Sequence, residues 1–342
     1  MAFGFFASLR MTVYVQGGGF IKVKNKGVLA LTVGLGLLAA LLVNASEAAR
    51  ACREGLLMCA RLLIPSLFPF FVLSGFLNRL GLPGLLGSLL APFASRLFGV
   101  SGAGASALLI GLTGGYPAGA AYIADMARSG SVSRQEAERL LAFCNNSGPA
   151  FIVGAVGIGV FGSVKIGLIL YGVHVLAALL TGLLFRGKYP CTETQPILLD
   201  SADPALALTE SVRQAVSAIL SVCGFALCFT VLLTVLDAGG ALTALCGAIA
   251  SRFSFEPQFV RALVTGLFEL GSGAAALSGL RACPETLSLS SFLLGWGGLS
   301  VHFQTLGVLS GSDVKGALHL TGRLLSAVFA AVLAYVIGLV IF

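Results

Sequence analysis

Two segments of this chain echo one another about 155 residues apart: Gly111-Leu112-Thr113-Gly114-Gly115-Tyr116-Pro117-Ala118-Gly119 and Gly266-Leu267-Phe268-Glu269-Leu270-Gly271-Ser272-Gly273-Ala274. About 30 residues beyond each copy lies a second helix-breaking patch inside an apolar stretch. The first is Cys144-Asn145-Asn146-Ser147-Gly148-Pro149, and the second runs from Trp296-Gly297-Gly298 through Ser300 and His302 to Gln304. Apolar segments broken at corresponding places in two halves point to the binding site of a secondary transporter. Irregular backbone survives at membrane depth only where protein or a water-filled cavity satisfies its N–H and C=O groups. A site is expected where these patches meet.

The composition restricts the setting. The chain is 57% hydrophobic and 10% charged, against about 25% charged in a soluble domain, so an all-α polytopic membrane protein is expected. Its 45 glycines suit close helix packing, which replaces the missing hydrophobic drive between helices in lipid. The net charge of +7 reads as positive-inside bias and not as nucleic-acid binding, since the basic residues do not interleave with aromatics on a polar face. The eight cysteines lack a C-x-x-C pair and read as small buried hydrophobes, forming neither a metal site nor a disulfide framework.

Apolar runs and their breakers divide the chain. Residues 1–27 form a basic cytoplasmic segment and 28–46 a retained first transmembrane helix. The first repeat covers 47–186, with a span kinked at Pro65 and Pro69, a short interfacial helix near 84–98, a hairpin at 100–127 and a broken helix at 134–161. Ser133 and Glu136 read as a capping box opening that broken helix. Residues 187–204 form a linker with Pro190, Pro196 and Pro204. The second repeat covers 205–342, with a hairpin at 257–281 and a broken helix at 288–312. Hairpin arms of about 15–20 Å, at roughly 1.5 Å per residue, fall short of a hydrocarbon core of about 30 Å, so both hairpins are expected to be re-entrant. With the N-terminus inside, thirteen Arg and Lys face the cytoplasm against six outside, and the two hairpins enter from opposite sides. The expected fold is therefore two inverted repeats, each with a re-entrant hairpin and a broken transmembrane helix, resembling elevator-type secondary transporters.

No enzyme is expected. His174, His302 and His319 are scattered, and there is no H-E-x-x-H, P-loop or G-x-S-x-G. The broken helices suit binding, because a restarting helix exposes free N–H groups and a positive dipole end to an anion. The expected substrate residues are Thr113, Tyr116 and Pro117 at the first hairpin tip and Asn145, Asn146, Ser147 and Gly148 at the first break. The second half adds Glu269 and Ser272 at its hairpin and Ser300, His302 and Gln304 at its break. Glu269, between Phe268 and Leu270, costs ~2.5–3.5 kcal/mol at the bilayer centre and so must be protonated, paired or facing a cavity. It is open to three functional roles, as substrate ligand, as ligand of a coupling cation (H+ or Na+) or as proton carrier, and to a structural one as partner of an internal basic group such as Arg323 or His302. Arg323 and Arg61 are equally able to snorkel to an interface. No cofactor or metal is called for.

The runs Leu63-Ile64-Pro65-Ser66-Leu67-Phe68-Pro69-Phe70, Gly114-Gly115-Tyr116-Pro117-Ala118-Gly119, Cys144 to Phe151 and Gly297 to Gln304 resemble the sporulation integral membrane protein YlbJ family. That family carries nucleoside-recognition (Gate) segments, here near 53–80 and 211–237, named for a distant similarity to concentrative nucleoside transporters. The resemblance covers roughly 28–342 and leaves the first 20 residues as an over-called start. It implies a place in endospore formation, in the outer forespore membrane of a bacterium. The implied activity is moving dipicolinate, an aromatic dicarboxylate, out of the mother cell. Three functions are weighed: a carrier of a small anionic metabolite, a nucleoside carrier of the same architecture, and a non-transporting scaffold of a sporulation complex. The expected partners are that small molecule and membrane lipid, with homo-oligomerisation left open.

Overall fold

The computed structural model describes residues 12–15, 19–22, 25–187 and 203–342; most of the expected linker and of the basic N-terminal segment lies outside them. Thr12–Val15 (β1) and Gly19–Lys22 (β2) pair antiparallel, and the remaining elements are helices. After α1 (Asn25–Val43) come α2 (Ala45–Met58), a π-helical turn at Cys59–Leu63 and α3 (Ile64–Arg79), together one span of 35 residues. Then follow α4 (Leu82–Phe98), α5 (Gly102–Thr113), α6 (Ala118–Arg128), α7 (Arg134–Phe143), a π-helix at Ala150–Val160 and α8 (Val164–Leu184). Beyond the linker lie α9 (Pro204–Leu236), α10 (Ala241–Phe253), α11 (Pro257–Phe268), α12 (Leu270–Ala276), α13 (Pro284–Trp296), α14 (Gly298–Leu309) and α15 (Ala317–Ile341). Among the described residues, five helices are long and apolar enough to cross a membrane, or six if the bent α4–α5 pair is one span.

One element order thus occurs twice: long helix, short helix, hairpin, broken helix, closing helix. The long helices of the two halves lie antiparallel. Gly55 of α2 packs on Leu227 and Thr230 near the far end of α9, whereas Arg79, closing α3, donates to Gln214 near the start of α9 at 3.3 Å. The short helices match in their ends, each entered through a left-handed glycine (Gly81 or Gly240) and left through a left-handed residue (Gly99 or Ser254). On α15 the small residues Gly322, Ala327, Ala330 and Ala334 are buried, and Leu324, Val328, Val332 and Val336 are exposed. That is the arrangement of a helix with small residues toward its bundle and large apolar ones toward lipid.

Local chemistry explains the breaks. The π-helical turn ends two residues before Pro65, whose missing N–H and ring cannot be accommodated in the regular i→i−4 ladder. The first hairpin turns through Gly114, left-handed Gly115 (φ 74°), Tyr116 and a cis Pro117. The second turns at Glu269 alone, in extended conformation (φ −140°, ψ 116°). The second broken helix stops and restarts at Gly297 and Gly298, both left-handed (φ 85° and 81°), which only glycine adopts without penalty. That break is tighter than the sequence suggests, since Ser300, His302 and Gln304 already lie in the opening turns of α14. The capping box is also modified: Ser133 Oγ accepts from Glu136 N as expected, but the Glu136 carboxylate reaches across to Ser101 N at 2.6 Å and ties α7 to the start of α5.

Candidate functional site

Each hairpin tip lies backbone to backbone against the broken helix of its own half. A side chain at Gly148 would meet Gly115 Cα at 3.0 Å, and one at Gly298 would meet Leu270 N at 3.0 Å. The two breaks in turn touch each other, because Ser147 Oγ donates to Leu294 O, at the end of α13, at 3.3 Å. Four irregular segments therefore converge.

At their meeting lies a cavity of about 50 Å³. Thr113 to Tyr116, Ser147, Gly148, Glu269 to Gly271, Ser300 and Gln304 supply its polar and backbone side. Leu63, Leu67, Phe70, Phe71, Phe151 and Val222 supply the apolar side. Ser300 Oγ and Gln304 Oε1 are buried there without a hydrogen-bond partner. Two larger recesses flank it. One, of about 430 Å³, lies beside α3, α6 and the start of α9 and is lined by Asn78, Arg79, Pro117, Asp125 and Gln214; Phe71 borders both it and the central cavity. The other, of about 330 Å³, lies beside α2, α11, α12 and the far end of α9 and is lined by Glu54, Met58, Thr234, Arg261 and Ser272.

The twelve residues expected from sequence divide into three sets. Thr113, Tyr116, Ser147, Gly148, Glu269, Ser300 and Gln304 line the central cavity. Pro117 and Ser272 line the flanking recesses instead, Ser272 Oγ pairing with Thr230 Oγ1 at 2.8 Å. Asn145 joins the scaffold, accepting from Ala120 N and donating to Thr305 Oγ1 at 3.0 Å. Asn146 donates to Phe143 O at 2.7 Å and accepts from Arg323 Nη1 at 2.8 Å. His302 sits behind the cavity, edge-on to Trp296, with Nδ1 3.2 Å from His319 Nε2. His319 Nδ1 lies 3.2 Å from Leu141 O; a carbonyl only accepts, so this contact makes Nδ1 a donor and leaves Nε2 to accept from His302. His174 Nε2 accepts from Ser147 N at 3.2 Å.

Glu269 is 4% exposed and accepts from Gly271 N at 2.9 Å and from Ser272 N, capping α12. The structural ion pair with Arg323 or His302 is not formed. Arg323 does not snorkel either: it is 0% exposed, whereas Arg61 is on the surface. Arg323 donates to Tyr116 Oη at 3.2 Å, Asn146 Oδ1 at 2.8 Å and Ala142 O at 3.1 Å. The sequence carried one signal for it, a lone Arg deep in the apolar run 316–342, but nothing that showed which residues it meets. Phe70, Phe71 and Val222 are also absent from the sequence-based set, since nothing in an apolar span distinguishes a cavity face from a lipid face.

Long apolar helices, two helical hairpins and two broken helices around one buried cavity define a multi-pass integral membrane protein. Sporulation integral membrane protein YlbJ of Bacillus subtilis (strain 168) is 34% identical, covering 82% of this chain and 75% of that protein. The chain belongs to the YlbJ family of sporulation integral membrane proteins. A solved structure of a substituted CNTnw in its intermediate 3 state matches the fold with a TM-score of 0.56 at 13% identity, covering 91% of this chain and 85% of that one. No family model matches the chain.

Proposed function

We propose that this protein is a secondary transporter of a small anionic metabolite, dipicolinate by its family resemblance, working by alternating access between two inverted repeats. The observation that carries the reading is the row of three spaces. A small central cavity lies between two wider recesses, and each recess is bordered by a different hairpin: Pro117 and Ala118 on one side, Ser272 and Ala275 on the other. The central cavity, of about 50 Å³, is far smaller than the recesses of about 430 and 330 Å³ on either side of it. Withdrawal of one hairpin at a time would join the central cavity to one recess and then to the other. The antiparallel α3–α9 pair supports an inverted relation of the halves and re-entrant hairpins entering from opposite faces. The positive dipole end that opens α14 and the unpartnered Ser300 hydroxyl suit a carboxylate. Glu269 would carry the coupling cation, H+ or Na+.

A second reading, a nucleoside carrier, is favoured by the CNTnw-like fold and by Glu269 facing the cavity beside Phe70, Phe71 and Phe151, where a carboxylate would accept from ribose hydroxyls and rings would stack. The test is uptake by purified protein in liposomes, with dipicolinate, a C4-dicarboxylate and uridine side by side. Saturable dipicolinate uptake is the expected result. Uridine uptake alone would move the protein to the second reading, and no saturable uptake of any of the three would make it a scaffold.

A further inference from the structure

We propose that Arg323 selects the charge of what this site accepts, acting on the cavity through Tyr116; this rests on the anion-transport reading above. Arg323 is wholly buried in α15, and among the described residues no carboxylate lies within ion-pair distance of it. Its acceptors are a phenol, an amide and a backbone carbonyl, and its Nε has no partner. Ala142 O belongs to the last turn of α7, where a cation meets the negative end of a helix dipole. Neutral acceptors of this kind offset part of the desolvation of a guanidinium and leave its net charge without a counter-charge.

Tyr116 joins that charge to the cavity. Tyr116 lines the central cavity, its hydroxyl receives Arg323 Nη1 and lies 3.5 Å from Leu294 O, and its tip packs against Gly297. An anion in the cavity is thus one side chain away from a fixed positive charge, in a low-dielectric interior where such a charge is poorly screened. The histidines of this layer are bonded through one ring nitrogen or both: His302 and His319 bond each other and Leu141 O, leaving His302 Nε2 without a partner, and His174 accepts from Ser147 N, leaving its Nδ1 without one. Glu269, the acid of the same cavity, is held by two backbone N–H groups of α12. Arg323 is therefore a specificity-determining residue whose counter-charge is the substrate's own carboxylate, and Tyr116 is the partition between them.

The experiment measures binding by thermal shift and titration on purified wild type, Arg323→Gln and Arg323→Lys, with pyridine-2,6-dicarboxylate and with uridine. Arg323→Gln is expected to weaken the dicarboxylate by about tenfold or more, as loss of a buried charge partner does, with uridine changed much less. Arg323→Lys keeps the charge and is expected to retain dicarboxylate preference, which also decides the matter if the Gln variant fails to fold. Dicarboxylate binding unchanged in Arg323→Gln, or lost in a folded Arg323→Lys, overturns the role of Arg323 alone. Equal loss of both ligands in folded variants overturns it too, as a structural effect. A wild type that binds no dicarboxylate overturns the anion reading itself, and this proposal with it.

Discussion

Glu269 and the pair Asn145 and Asn146 show how far single residues can be interpreted. The carboxylate was legible as a cavity residue because an acid in an apolar hairpin has few places to go. Its role as the cap of α12 was not, because that depends on the extended backbone at Glu269 itself. Glu269→Gln keeps one acceptor but turns an amide NH2 toward a backbone N–H, so a loss of ~1–3 kcal/mol is expected for the unsatisfied donor. The variant should fold with a lowered melting temperature and lose the pH or cation dependence of transport. Intact ion dependence in a folded Gln variant would remove Glu269 from coupling. Two adjacent amides before Ser-Gly-Pro look like ligands, yet Asn145 spends its amide on Ala120 and Thr305 and Asn146 on Phe143 and Arg323. Asn145→Ala is accordingly expected to reduce stability as well as transport, seen as a drop in both melting temperature and uptake. Loss of uptake at unchanged melting temperature would return Asn145 to the ligand set.

At the scale of elements, glycine contacts decide what can vary. A Cβ at Gly273 would lie 2.2 Å from Gly266 Cα, so α12 folds back on α11 only because position 273 lacks a side chain. Gly273→Ala should cost at least the ~1–3 kcal/mol of overpacking, since a backbone atom cannot swing aside. Gly172, on α8, has nothing within 4 Å of an added Cβ, and Gly172→Ala should be neutral or stabilise by up to ~1 kcal/mol. Melting curves in detergent compare the two, and equal melting temperatures would refute the packing argument. Helix extents were legible from apolar runs and Gly/Pro breakers: the hairpin expected at 100–127 is α5 and α6. The π-helix at Ala150–Val160 was not, because the choice between i→i−4 and i→i−5 bonding depends on what packs around the segment and not on its composition.

Across the whole molecule, the proposed inversion makes a topological prediction. In a background without native cysteines, Ala121→Cys in the recess beside α6 and Ala275→Cys in the recess beside α12 should be labelled by a membrane-impermeant thiol reagent from opposite sides. Labelling of both from one side would end the inverted-repeat proposal. The sequence by itself determined that the chain is a helical membrane protein, where its helices break, and which two glycine-rich regions recur, because hydrophobic length and missing N–H or Cβ atoms act locally along the chain. The tertiary structure decided which polar groups face the cavity and which satisfy one another, and that Arg323 meets Tyr116 and Asn146 across 207 and 177 residues. The reason is that hydrogen bonds and desolvation are settled between segments, by which surfaces meet once the helices have packed.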